Sequence, residues 1–180
     1  VEMPSYGPVS QTARILGLET VPLSRVPTDE AWRIDREEWA QILVQVDLLM
    51  ISPQLNPVGW SYTESDRKWL VEFCIKHDIN VISDEVYSGA DRNWKPFFKE
   101  GKNFITISSL TKVHGLGVVR YGWICADREI IRYIGRSFHN MEGMMASPTI
   151  RIVEQIKDRL NEPVELIEQY REENLPILQE

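Results

Sequence analysis

Cysteine is scarce: only Cys74 and Cys125 occur in 180 residues. Two thiols cannot build a disulfide framework, and each sits in an apolar run of the kind that buries free cysteine, so a reducing cytoplasm is the expected setting. Nowhere do about eighteen apolar residues follow one another, so no membrane-spanning helix is expected. The opening Val1-Glu2-Met3-Pro4 lacks the basic start and apolar stretch of a signal peptide. Positive charge is also in short supply. The 20 Lys and Arg stand against 27 Asp and Glu, a net charge of -7, and no basic run offers a local exception. Phosphate backbones and anionic lipid surfaces are repelled by such a chain, so neither nucleic acid nor membrane is an expected partner.

Low-complexity tracts and fixed-period repeats are missing too. What remains is an ordinary globular balance, 43% hydrophobic and 26% charged, in a chain of about one domain's length. From Asp47 onward apolar runs alternate with helical patterns, the signature of an α/β sheet with crossover helices. Leu48 to Ile51 reads as a strand buried on both faces. Ser61 and Thr63 are candidate caps for a helix reaching about His77, with Trp69, Leu70, Phe73 and Cys74 at helical spacing. Val81-Ile82, leading into Asp84, and Phe104 to Ile107, leading into Ser108, read as further strands with parallel pairing. Trp123 to Ala126 follows too soon for a helical crossover and is expected to run antiparallel. Helical patterns then begin at Arg128, at Pro148 in a first turn, and at Pro163. Upstream, helices are expected near Val9 to Leu16 and Arg36 to Val44, with a short strand near Glu19 to Val21.

Three polar clusters lie just beyond the ends of the predicted strands: Asn56-Pro57-Val58-Gly59, Asp84-Glu85-Val86-Tyr87, and Ser108-Ser109-Leu110-Thr111-Lys112. In open α/β sheets ligands bind at that edge, which argues for one shared site. Lysine suits covalent work on carbonyl compounds, because its amine condenses with an aldehyde once burial or nearby cations free it. The order and spacing of the clusters, from about Asn56 to Trp123, resemble the class I and II aminotransferases. These are fold type I enzymes dependent on pyridoxal 5′-phosphate (PLP). The most specific piece is Ser109-Leu110-Thr111-Lys112 followed by Gly115, Gly117, Arg120 and Gly122, which looks like the family's PLP-lysine signature.

That resemblance implies a role for each matched residue. Lys112 would form the Schiff base with PLP and later shuttle a proton. Asp84 would pair with the pyridine nitrogen, and Tyr87 and Asn56 would hydrogen-bond the phenolic oxygen. Ser109 and Arg120 would bind the phosphate, Arg120 through its planar fork. No metal ligand is expected. The implied fold is the aspartate aminotransferase-like large domain, an α/β architecture with a mostly parallel sheet flanked by helices. Residues 1–137 would form part of this PLP-binding domain, and residues 138–180 would complete it and lead towards a small domain. The implied reaction transfers an amino group between an amino acid and a 2-oxo acid, and the full-length protein would be a homodimer. Elimination at a C–S bond, cyclising elimination, or a non-catalytic ligand-sensing role in a transcription regulator remain alternatives on the same scaffold.

Several features depart from the family pattern: Val58 where threonine is frequent, His114 where an aromatic is, and Val118-Val119 where small or other apolar residues are usual. Family members are also about twice as long, so the chain is expected to be a central piece that binds PLP weakly or not at all and is inactive by itself. The opening Pro4-Ser5-Tyr6 resembles the family's mid-domain Pro-x-Tyr turn. Ser109-x-x-Lys112 also satisfies a β-lactamase pattern, but the companion Ser-Asp-Asn and Lys-Thr-Gly motifs are missing. Gly115-x-Gly117 has Arg120 where a dinucleotide loop would have its third glycine. Cys74 and His77 could meet on one helix face, though no second ligand pair at zinc-like spacing follows. Met141, Met144 and Met145 suggest a packing or subunit-contact segment.

Overall fold

A computed structural model of the chain describes residues 1–28, 32–56, 59–91, 93–141, 147–160 and 162–178. Pro57, Val58, Met144 and Met145 lie outside these, as do the side chains of His139 and Met141. The chain opens with β1 (Glu2–Met3) and α1 (Gly7–Ile15), whose first turn holds Pro8, where a missing N–H costs nothing. It continues through β2 (Leu23–Pro27), β3 (Trp32–Ile34) and α2 (Arg36–Leu43) to β4 (Leu48–Ile51). A short hairpin follows, β5 (Gln54–Leu55) and β6 (Trp60–Ser61), and then α3 (Glu64–Lys76) and β7 (Asn80–Asp84). Next come β8 (Phe104–Ser109) and β9 (Gly122–Cys125), then α4 (Arg128–Met141), α5 (Ser147–Ile156) and α6 (Glu162–Leu178).

Strands β1-β2-β3 form one sheet and β4-β7-β8-β9 another. β4 and β7 pair in parallel, Leu48 opposite Asn80 and Ile51 opposite Ser83, with α3 as the crossover. Where β8 gives way to β9, the Leu110 N–H donates to the Tyr121 carbonyl at 3.0 Å. The Ser108 carbonyl in turn faces Gly122. The pairing climbs one strand as it descends the other, the antiparallel arrangement expected from so short a connection.

Two expectations need correction. The strand placed near Glu19 to Val21 begins instead at Leu23, in register with β1 through Leu23 N–H to Val1 carbonyl at 2.9 Å. Its inward positions are Leu23 and Arg25, and a buried arginine hides the alternation that marks a half-buried strand. β4 is not covered on both faces either: Leu49 and Ile51 are buried, whereas Leu48 is 37% exposed. Leu48 and Met50 line a cavity of about 540 Å3 with Leu18, Val21 and Val46.

The chain divides into two compact units. Residues 1–85, 96–106 and 125–127 form the first, whose core holds Trp39, Leu43, Leu70, Cys74, Phe97 and Phe104. Trp39 is fully buried, and its indole N–H is satisfied by the Ser24 carbonyl at 2.8 Å. Residues 86–95, 107–124 and 128–180 form the second. There α6 packs on the short turn Ser88–Ala90, Val164 of α6 is buried, and His114 Nδ1 lies 2.9 Å from the Leu160 carbonyl.

The ambiguity over how α3 begins is resolved in favour of Thr63, whose hydroxyl accepts the Asp66 N–H at 3.0 Å, while Ser61 ends β6. In the full-length protein Thr63→Ala should therefore cost about 1 kcal/mol in a denaturant titration. Ser61→Ala should cost less than half of that, and equal losses would contradict this cap assignment.

Candidate active site

Lys112 sits in a loop whose neighbours are anchored. β8 ends at Ser109, and buried residues then stand on either side of an exposed one: Leu110 is 1% exposed and Val113 7%, whereas Lys112 between them faces solvent. The Ser109 hydroxyl oxygen accepts the Thr111 N–H at 3.3 Å, which leaves its own proton as a donor. Leu116 N–H closes the loop onto the Leu110 carbonyl, and Gly115 N–H onto the Lys112 carbonyl, both at 3.0 Å. Gly115 does so with φ of +66°, a conformation that glycine adopts without steric cost.

The loop then reaches Arg120, an exposed residue with φ 53° and ψ 47°. A left-handed conformation costs a residue bearing a Cβ about 1–2 kcal/mol, and such strain concentrates at functional sites. Two residues on, a Cβ at Gly122 would lie 3.1 Å from the Ser108 carbonyl oxygen, so glycine permits this close backbone approach.

Tyr87 belongs to the same unit and begins the turn Ser88–Ala90. A Cβ on Gly89 would be in ordinary contact with the Val113 side chain, at 3.7 Å, so this turn packs on the lysine loop. The structure thereby brings two of the expected residues together: Lys112 Nζ is 5.8 Å from the Tyr87 ring centroid. Ser109 and Arg120 flank Lys112 in sequence and share the unit of this pair.

Asp84 and Asn56 belong to the first unit. Asp84 is the half-buried last residue of β7. Asn56 does not follow β4 directly, as the spacing suggested, but follows β5, in the turn of the hairpin. Glu85, read in sequence with Asp84 as an acidic strand end, is buried at 3% exposure. Its Oε1 accepts the Phe97 N–H at 2.9 Å and the Thr106 hydroxyl at 2.8 Å. Glu2, Arg25 and Tyr62 form a second buried polar cluster that sequence reading missed. The available signal was a charged residue inside each of two strands.

Cys74 and His77 do not form a ligand pair. Cys74 is fully buried and burial pushes its thiol up to about 12, whereas His77 is exposed and stacked on Phe73 at 4.4 Å.

Residues 1–173 match the family model for aminotransferase class I and II. The chain belongs to this family. Among its relatives, the histidinol-phosphate aminotransferase of Pyrococcus furiosus is 26% identical over 175 residues. That match takes in 96% of this chain and 49% of the relative. A PLP-dependent aminotransferase from Streptococcus suis superposes with a TM-score of 0.86 at 23% identity, over 99% of this chain and 48% of that one. A PLP-bound C-S lyase from Staphylococcus hominis gives 0.83 at 19% identity, over 99% and 47%. The chain therefore spans about half the length of these proteins, and its α/β fold is the aminotransferase one.

The backbone at Arg120 yields a direct test. Both Arg120→Ala and Arg120→Gly remove the guanidinium, but only glycine relaxes the left-handed conformation. The glycine variant should be more stable than the alanine variant by about 1 kcal/mol in urea titrations of the full-length apoprotein. Equal stability would show that the residue is not held at positive φ.

Proposed function

We propose that the full-length protein is a PLP-dependent aminotransferase that moves an amino group between an amino acid and a 2-oxo acid, with Lys112 as the covalent partner of the cofactor. The observation that carries this reading is the pairing of Lys112 with Tyr87 on a loop within the family match. The donor set fits the cofactor group by group: an amine for the aldehyde, a carboxylate for the ring nitrogen, a phenol and an amide for the phenolic oxygen, and a hydroxyl and a guanidinium for the phosphate. When bound, PLP supplies a ring that withdraws the electrons left behind as the substrate's α-proton departs.

In this reading Lys112 Nζ would hold the cofactor through its aldehyde carbon and would take the proton from the substrate's α-carbon. Asp84 holds a proton on the ring nitrogen by placing a negative charge beside it. The Tyr87 phenol and the Asn56 amide orient the ring through its phenolic oxygen. Ser109 donates its remaining hydroxyl proton to the phosphate, and Arg120 offers it two parallel N–H groups.

Residues 1–137 are read as part of the cofactor-binding large domain, and residues 138–180 as the helical segment leading from it. A cytoplasmic homodimer is the proposed state, the compartment from the scarcity of cysteine and the dimer from the family resemblance; no described helix is long and apolar enough to cross a membrane. The elimination reading rests on the likeness in fold to the C-S lyase.

The two reactions differ in their products. Full-length protein given PLP, a panel of amino acids and a 2-oxo acid should transfer nitrogen to the oxo acid, leaving a new 2-oxo acid from the donor. Lys112→Ala should slow this by about 10²–10⁴-fold or more. Release of free ammonia in step with amino-acid loss, and no amino transfer, would establish elimination instead.

A further inference from the structure

The hairpin that carries Asn56 is tied at both ends to one buried ion pair. Glu2, on β1, and Arg25, on β2, are both almost fully buried and bonded to each other through Arg25 Nε. On the entering side of the hairpin, the Ser52 N–H donates to Glu2 Oε2 at 2.9 Å, and Arg25 Nη2 reaches the Ser52 carbonyl at 3.5 Å. On the leaving side, the Tyr62 hydroxyl donates to Glu2 Oε1 at 2.7 Å. The Arg25 guanidinium carbon lies 4.5 Å from the Trp60 ring centroid and 4.2 Å from that of Tyr62.

We infer that Glu2, Arg25 and Tyr62 are positioning residues that fix the Ser52–Tyr62 hairpin and thereby set where Asn56 meets the cofactor's phenolic oxygen. The inference rests on the role proposed for Asn56 above. Three features separate this arrangement from a buried ion pair that serves packing alone. First, burying two charges is expensive, and well-packed apolar residues commonly replace such a pair without loss of stability. Apolar residues could not hold the N–H and the carbonyl of Ser52 at once. Second, Arg25 Nη1 is buried with no hydrogen-bond partner among the described residues. The cation is held instead by two aromatic faces, both supplied by the leaving side of the hairpin. Third, the phenol of Tyr62 is a committed donor: burial first, and the Glu2 charge next, push it well above its usual range. Between these ties the hairpin is short, with Gln54 opposite Ser61 and Leu55 opposite Trp60, and Leu55 is fully buried. Asn56 is the next residue.

The test uses the full-length protein and the variants Tyr62→Phe, which removes only the hydroxyl, and Arg25→Lys, which keeps the charge but loses the planar fork. Asn56→Ala serves as the reference. An amide that donates to the phenolic oxygen weakens that oxygen's hold on the proton of the neighbouring lysine-bound nitrogen. Asn56→Ala should therefore move upward the pH at which the visible absorbance of the Lys112-bound cofactor titrates. Tyr62→Phe and Arg25→Lys should move it the same way by less, and neither should move it further in the Asn56→Ala background. In the apoprotein, amide hydrogen exchange across 54–61 should be about tenfold faster or more in Tyr62→Phe, as loss of a hydrogen bond to a charged group implies, while α3 stays unchanged.

An unmoved titration midpoint in folded Tyr62→Phe, or a shift of the same size with and without Asn56, overturns the inference and leaves the proposed function standing. If Arg25→Lys does not fold, Tyr62→Phe decides alone. Should the wild type form no visible band that depends on Lys112, the proposed function falls and the inference with it.

Discussion

The loop that carries Lys112 is held by burial on either side of an exposed amine. Leu110 and Val113 are driven inward on either side of it. Each fully buried aliphatic side chain is worth roughly 1.5–3 kcal/mol. The lysine is therefore held outward by its neighbours' hydrophobicity, with its amine over the Tyr87 ring. Backbone hydrogen bonds from Gly115 and Leu116 then close the loop, and the chain pays for its return to β9 in strain at Arg120. The turn bearing Tyr87 packs on the same Val113 side chain, so the residue that anchors the lysine also anchors the phenol facing it.

In the first unit the corresponding work falls to buried polar groups. Glu85 gathers the Phe97 amide and the Thr106 hydroxyl one residue beyond Asp84. Glu2 gathers Arg25, Tyr62 and Ser52 at the base of the hairpin that carries Asn56. Removing one partner of a buried ion pair costs about 3–5 kcal/mol, because the other charge is left in a medium of low polarity. These carboxylates hold backbone in specific places. Asp84 and Asn56 are thus each preceded or followed closely by an internal anchor of high cost, an arrangement suited to fixing short loops at strand ends.

Most of the strand and helix pattern was legible because local signals agreed. β4, β7, β8 and β9 announce themselves as apolar runs, and α2 and α3 start at capping residues, Asp35 and Thr63. Reading failed where the decisive contact is remote. β2 was misplaced because its inward Arg25 looks polar until Glu2, 23 residues earlier, is seen to neutralise it. The two-residue strands of the hairpin are too short for periodicity to register, and Tyr62 meets Glu2 across 60 residues. Of the site itself, the nearness of Lys112 and Tyr87 was anticipated through the family resemblance that their motifs carry. The buried role of Glu85 was not, since nothing local distinguishes it from the acidic residue before it.

The claim on which everything else depends is that Lys112, and no other lysine, bonds to the cofactor. Borohydride reduction of the full-length protein with PLP, followed by peptide mapping, tests it most directly. The account predicts a single stable pyridoxyl adduct on the peptide containing Lys112, abolished by Lys112→Ala. A stoichiometric adduct on a different lysine, with Lys112 unmodified, would contradict it.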